Sequence, residues 1–332
     1  MKKIVYIVLG FFLFTQQACE NELDVLADYK QFIVCYGILN PTDSIHYIKV
    51  SKVFVGEGNA LEMAQVQDSI QLRPENMEVR MTRMLNGVEM SYWILSPDSL
   101  IPREEGIFHN PHQILYRGIF PVFVDGSRYR ITITDLQTGF VAYSETEVVR
   151  DVIQTEPVSV WQPLNFEDTT VASFRFVSPS HGKKYQLAIR FYYDEQFIFD
   201  TSQVSQKYVD WIIGYTESAT DDGGENMRIN VRRDNFFRML ANNVPINPMV
   251  RRVSGRLDFV YVSVTDDFVT YMKVQDANDN SAADIPPFTN VTNGLGLFTT
   301  RNTTTISNFH LDVDTQYALV TSTVVEDLNF VR

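Results

Sequence analysis

The chain has 332 residues, 45% hydrophobic and 21% charged, with 28 basic against 41 acidic side chains and a formal net charge of −13. So acidic a chain lacks the basic footprint of a nucleic-acid binder, and it is too apolar to belong to the disordered class. Its length exceeds one comfortable core, so two domains are expected.

The chain opens with Lys2 and Lys3, an apolar run from Ile4 to Phe14, and then Thr15, Gln16, Gln17, Ala18 and Cys19. A run of eleven residues is too short for a spanning helix, which needs about 20, and suits a secretory signal, whose apolar region holds about 7–15. Residues 1–18 therefore read as a signal peptide, with Cys19 as the first mature residue and the lipid-attachment site. The pattern resembles a bacterial lipoprotein signal, with Gln16 where an aliphatic residue is usual. An ordinary signal with an incidental cysteine is the alternative. Residues 19–28 carry Glu20, Glu22 and Asp24 and read as an acidic tether similar to the surface-export tag of Bacteroidota lipoproteins. Losing residues 1–18 removes two lysines and no acid, so acyl chains rather than a basic patch would hold the protein at a membrane. The other cysteine, Cys35, then has no partner for an intramolecular disulfide. It lies in the β-type run Phe32–Tyr36 and reads as a small buried apolar residue.

Residues 29–150 read as an N-terminal β-sandwich of immunoglobulin-like type. Ile45–Ser51 and Met77–Met84 are β-type runs, and in the second Met77, Val79 and Met81 alternate with Glu78, Arg80 and Thr82. Tyr129–Thr134, the turn Asp135–Gly139 and Phe140–Glu145 form a hairpin signature. Turn signals recur at Asn40-Pro41, Asn86-Gly87 and Asp125-Gly126, as in a sandwich. The stretch from Arg150 to Pro157 reads as the crossing to a second domain. Residues 151–332 form that β-rich domain, opening with Ala172–Phe176 and Tyr185–Phe191. Val209, Trp211, Ile213 and Tyr215 then alternate as one inward face. Helices are predicted near 234–243, capped by Asp234, and near 266–274, capped by Thr265 or Asp266 with Phe268, Tyr271 and Met272 on one side. The expected fold is mainly β: two antiparallel sandwich-like domains, the second with one or two short packing helices.

Ser254-Gly255-Arg256, the strand to Val264, the helix around Tyr271 and the segment Asn290-Val291-Thr292-Asn293-Gly294-Leu295-Gly296-Leu297-Phe298 resemble an uncharacterised family of Bacteroidota outer-membrane lipoproteins. Tyr29–Gly37 followed by Tyr47–Ser51 is similar to the opening of that family. The resemblance implies two β-rich domains, membrane anchoring and association with TonB-dependent receptors, and it brings no catalytic motif. Gly294 and Gly296 read most simply as backbone positions that need a small residue or a positive φ.

Other patterns bear on chemistry. His109 and His112 are three apart but Pro111 makes a loop of them, and His46, His181 and His310 are scattered. Asp276–Asn280 imitates the start of a calcium loop, yet Ser281 replaces the turn glycine and Pro287 the closing glutamate. Asp221–Glu225 reads as an exposed acidic turn. Trp93, Trp161 and Trp211 could stack on sugars, and core filling is the simpler reading. Asp43-Ser44-Ile45, Asp68-Ser69-Ile70, Asp98-Ser99-Leu100 and Asp168-Thr169-Thr170 resemble O-glycosylation acceptors of Bacteroidota. No nucleophile elbow, zincin helix or P-loop is present, and no cofactor or metal is expected. The reading favoured is a non-catalytic surface lipoprotein of the outer membrane that partners a TonB-dependent transporter or captures its cargo, a glycan or peptide. A glycan- or peptide-degrading enzyme of unrecognised family and a structural adhesion module are the alternatives. The long polar segment Asp276–Phe298 is the first place to look for recognition.

Overall fold

Alternating apolar residues mark many of the strands, and these bury the alternating face. In β7 (Arg128–Asp135) Tyr129, Ile131 and Ile133 are buried while Arg130 and Thr132 are half-exposed. The computed structural model describes residues 32–52, 72–102, 113–120, 123–280 and 286–332. The signal, the tether, Cys19, His109, His112 and the acceptor-like Asp68-Ser69-Ile70 lie outside the described residues.

The fold is mainly β, as expected. Two cores form. The first lies between a four-stranded sheet and part of a nine-stranded one. The smaller sheet orders β4 (Val88–Ile94), β3 (Met77–Leu85), β7 and β8 (Val141–Glu147). Facing it are β1 (Ile33–Leu39), β2 (Ile45–Lys52) and β6 (Leu115–Ile119), with the short β5 (Ser96–Asp98) at the sheet edge. Cys35, Ile48, Met81, Ile131 and Phe298 meet inside.

The second core lies between the other half of the large sheet and a three-stranded sheet of β9 (Ile153–Glu156), β10 (Val171–Val177) and β13 (Asn226–Arg232). The large sheet continues here as β11 (Lys184–Phe197), β12 (Asp200–Glu217) and β14 (Val250–Val264). Rings fill the interior: Phe174 meets Phe259 edge-on at 5.2 Å, Phe259 meets Phe309 at 4.7 Å, and Phe166 stacks on Phe236 at 4.8 Å.

One strand belongs to both cores. The first residues of β15 (Gly294–Phe309) pair with β1 in parallel, from Ile33 opposite Gly294 to Leu39 opposite Thr300. Its remainder pairs antiparallel with β14, from Val264 opposite Arg301 to Leu257 opposite Phe309. Along the chain the second core takes over between Val148 and Val152, and Val291 and Phe298 return to the first.

Three helices occur among the described residues, α1 (Asn235–Asn243), α2 (Asp266–Asn280) and α3 (Val313–Thr321). Helix α1 matches its expected place and buries Phe236, Phe237, Met239 and Leu240. Asp234 stands at its N-cap but makes no side-chain cap bond. Its carboxylate instead binds Arg232 at 3.0 Å and Arg238 at 3.1 Å, and the Arg232 guanidinium holds it below the usual carboxylate range. Thr265 caps α2, its Oγ1 accepting from the Phe268 N–H at 3.3 Å. The helix runs past the predicted 274 to Asn280, so the calcium-like Asp276–Asn280 is its last turn rather than a loop. Helix α3 was not anticipated, although Asp312 gives a local start signal by accepting from the Thr315 N–H at 2.8 Å. A short β16 (Phe330–Val331) closes the chain against β14 in parallel.

Candidate binding face

The β11–β12 hairpin builds one wall of the second core and one face turned away from it. Pairing is regular from Lys207 to Ile212, with Trp211 buried opposite Ile189. Then the register slips by one, because Leu187 faces Gly214 while Ala188 faces Ile212. Ile213 is the extra residue of this β-bulge and still packs on the core. A one-residue bulge reverses the facing of every residue beyond it in the strand. Tyr215, read from the sequence as the next inward residue, therefore pairs with Gln186 on the outer face and is 59% exposed.

The outer face reads as cross-strand rows. Nearest α2, Glu217, Lys184, Val264 and Arg301 stand side by side, followed by Tyr215, Gln186, Val262 and Thr303. Ile212, Ala188, Val260 and Thr305 come next, then Asp210, Arg190 and Asp258. Tyr208 pairs with Tyr192 at the far end, beside Arg256. The Arg190 guanidinium clamps Asp210 with bonds of 2.7 and 2.9 Å and lies 4.3 Å from the Tyr208 ring. Arg256 binds Asp258 at 3.2 Å and lies 4.0 Å from the Tyr192 ring. Each guanidinium is thus held flat between a carboxylate and a ring, which fixes its orientation before any partner arrives. Tyr208 and Ile212 remain 56% and 54% exposed.

Ionisable side chains also gather in a cavity of about 600 Å³ between β7–β8 and the loop before β11. Arg128 binds Glu147 through Nε at 2.8 Å, and Arg130 binds Glu145 through Nε at 2.6 Å. Arg150 pairs with Asp125, and His181, at a φ of 64°, places Nδ1 2.6 Å from Glu147. Arg128 and Glu147, and Arg130 and Glu145, are direct cross-strand partners, so this ladder is what strand pairing brings together.

The remaining sequence candidates are placed as follows. His46 is buried, stacked on Phe120 at 5.3 Å with Nε2 3.1 Å from the Asp43 carbonyl, and burial lowers its pKa. His310 is exposed and uses its carbonyl to accept from the Leu164 N–H at 2.9 Å. Trp93 packs on the first core and Trp211 on the second, while Trp161 stands 87% exposed. In the Asp221–Glu225 turn, Glu225 accepts from the Ala219 and Thr220 N–H groups at 3.0 and 2.8 Å and Gly223 has a φ of 84°. The acceptor-like Asp43, Asp98 and Asp168 lie in turns or at strand ends, and Asp168 accepts from the Thr170 N–H at 2.7 Å.

The asparagine- and glycine-rich stretch is a clasp. Asn290 accepts from the Phe298 N–H at 3.0 Å, donates to the Phe298 carbonyl at 2.8 Å and donates to Asp267 at 2.8 Å. Ser144 donates to the Asn290 carbonyl at 2.8 Å and Asn293 to the Val141 carbonyl at 3.1 Å. These bonds tie β8, α2 and β15 together and use the side chains of Asn290 and Asn293, while residues 281–285 of the polar segment Asp276–Phe298 lie outside the described residues.

No protein-family model and no curated protein matches the chain. Among solved structures, native Escherichia coli alpha-2-macroglobulin aligns at 11% identity and a TM-score of 0.21, over 72% of this chain and 13% of that one. The elastase-activated form of that protein aligns at 9% identity and a TM-score of 0.19, over 85% of this chain and 20% of that one. The C-terminal globular domain of an oligosaccharyltransferase from Pyrococcus abyssi aligns at 11% identity and a TM-score of 0.22, over 61% of this chain and 40% of that one. The chain thus spans less than half of each, and likeness at these scores carries no argument about function.

Proposed function

We propose that this protein is a lipid-anchored, non-catalytic lipoprotein that docks on a TonB-dependent transporter in the outer membrane through the outer face of β11, β12 and β14. The observation that carries the reading is the row of exposed Tyr208 with half-buried Tyr192, Arg190 and Arg256, fixed in orientation by ring and carboxylate contacts. Tyrosine and arginine are the residue types that dominate protein interfaces, and preordering them lowers the entropy lost on docking. No cavity among those described is lined by Tyr192, Tyr208, Arg190 or Arg256. Such a face suits a protein surface better than a small molecule, which needs a concave site. The signal and Cys19 add the second support. Confinement to the membrane plane raises the effective concentration of a neighbouring membrane protein, so modest contacts suffice.

The test is chemical crosslinking in native membranes, followed by pull-down and mass spectrometry. The wild type should recover a β-barrel transporter. Tyr208→Asp together with Ile212→Asp should lose it, since hot-spot residues contribute about 2 kcal/mol or more each, while exposed Trp161→Ala should keep it. Cys19→Ala should move the protein to a soluble fraction, and intact mass should show acylation on Cys19 in the wild type. Turnover of a polysaccharide or peptide with no membrane partner recovered would sink the proposal.

A further inference from the structure

Helix α2 leaves β14 at Val264 and turns back over the outer face without lying flat on it. Between helix and sheet is a cavity of about 340 Å³. Val262 and Val264 make its floor, Tyr215 one wall, and Phe268, Val269 and Met272 its roof. The roof is tied to the sheet by Lys273, whose Nζ donates to Glu217 at 3.1 Å. Lys184 reaches the same glutamate at 3.4 Å, and the Lys273 ammonium holds Glu217 below the usual carboxylate range.

The charged groups at the rim are unevenly matched. Lys184 and Lys273 share Glu217, and Asp276 also lines the cavity. Arg301 stands beside Val264 on the outer face and lines the cavity too. Its guanidinium has no hydrogen-bond or ion-pair partner among the described residues. In a chain with a net charge of −13, the cavity is apolar and edged by three cations, one of them unmatched among the described residues.

We propose that this cavity binds a small carboxylate with an aromatic tail. The volume lies at the lower end of the roughly 300–1,000 Å³ typical of ligand sites, which favours one ring on a short linker. Tyr215 and Phe268 offer ring contacts, and Met272 adapts to the ring edge. Arg301 takes the carboxylate through charge-assisted hydrogen bonds, stronger than neutral ones. One unmatched cation suits a monoanion, and Glu217 and Asp276 would repel a dianion such as phosphate. The site rests on the bulge at Ile213, without which Tyr215 would face the core. It occupies the end of that outer face nearest α2, and the row of Arg190, Tyr192, Tyr208 and Arg256 lies further along the same strands.

The test is calorimetric titration of the full chain in lipid nanodiscs, with empty discs as the blank. The probes are 3-phenylpropionate and its neutral isostere 3-phenylpropionamide. The acid should bind saturably and at least tenfold more tightly than the amide. Arg301→Gln should weaken the acid at least tenfold and leave the amide unchanged. Met272→Glu, on a partly exposed helix position, should abolish binding of both, with the thermal midpoint of each variant reporting that the fold is kept. Absence of saturable heat with the acid, equal affinity for acid and amide, or wild-type binding by Arg301→Gln would each overturn the proposal.

Discussion

Arg252 is the residue on which the second core turns. It is 1% exposed, and its guanidinium donates to Glu195 at 2.7 and 2.9 Å, to the Leu328 carbonyl at 2.6 Å and to the Pro245 carbonyl at 2.8 Å. One side chain thus joins β14, β11, the loop after α1 and the turn before β16. Removing one partner of a buried pair costs about 3–5 kcal/mol, because the groups left behind stay dehydrated. Arg252→Met should therefore lose about that much stability in urea unfolding. Burial works to raise the Glu195 carboxyl, and the bonds from Lys207 and Arg252 overcome it, leaving the group below its ordinary 4.5. A depressed carboxylate contributes stability above its unfolded value and loses it as pH falls through the folded one. The wild type should lose this contribution below about pH 4.5, and the methionine variant, with less to lose, should show a shallower acid slope. Cys35 illustrates the apolar counterpart: it is fully buried, and burial raises its thiol to about 12. That is the inert packing role its β-type surroundings implied.

Among the elements, β15 carries the greatest demand on sequence. Its parallel pairing with β1 brings Gly296 opposite Cys35 at a φ of 111°. A Cβ there would enter the Cys35 carbonyl oxygen, and one at Gly294 would stand 2.6 Å from the Ile33 carbonyl oxygen. The reading of both glycines as backbone requirements agrees with this: Gly294 needs smallness, and Gly296 needs smallness and a left-handed φ. Gly296→Ala should destabilise by at least the roughly 1–3 kcal/mol of a strained backbone position, with the steric clash added. Chemical denaturation would measure it, and a loss below about 0.5 kcal/mol would contradict the geometry. Period-two alternation made most strands legible, and it failed at Tyr215 for an identifiable reason. The bulge at Ile213 is a property of how β12 pairs with β11, and nothing within residues 209–215 marks which residue will be the extra one.

At the scale of the whole molecule the two cores are linked by β15, so residues 29–150 lack part of their own sandwich. Without β15 and the residues just before it, β1 loses its parallel partner, and Val291 and Phe298 are missing from the core. Produced alone, residues 29–150 should expose that edge and that apolar surface, and should aggregate or fail to give dispersed amide resonances. Adding a peptide of residues 286–309 should restore order. A well-dispersed spectrum from the fragment alone would overturn the expectation. The exposed Arg–Tyr face and the roofed cavity belong to the other half of the same large sheet.

The sequence by itself determined what is local. β-type and alternating runs located nine of the strands but not β15, whose start was read as part of a polar segment. Thr265 and the run after it located α2, and the N-terminal pattern set the expectation of a lipidated Cys19. It also determined the mainly β class, because burial of alternating residues follows from strand geometry alone. Only the tertiary structure decided which far-apart residues meet. The pairing of β1 with β15, the spending of Asn290 and Asn293 on a clasp, the turning of Tyr215 outward and the position of Arg301 beside Val264 all depend on register between segments distant in the chain. Register is set by the fit of whole faces and by bulges, so it is a property of strand pairs and cannot be read from either strand alone.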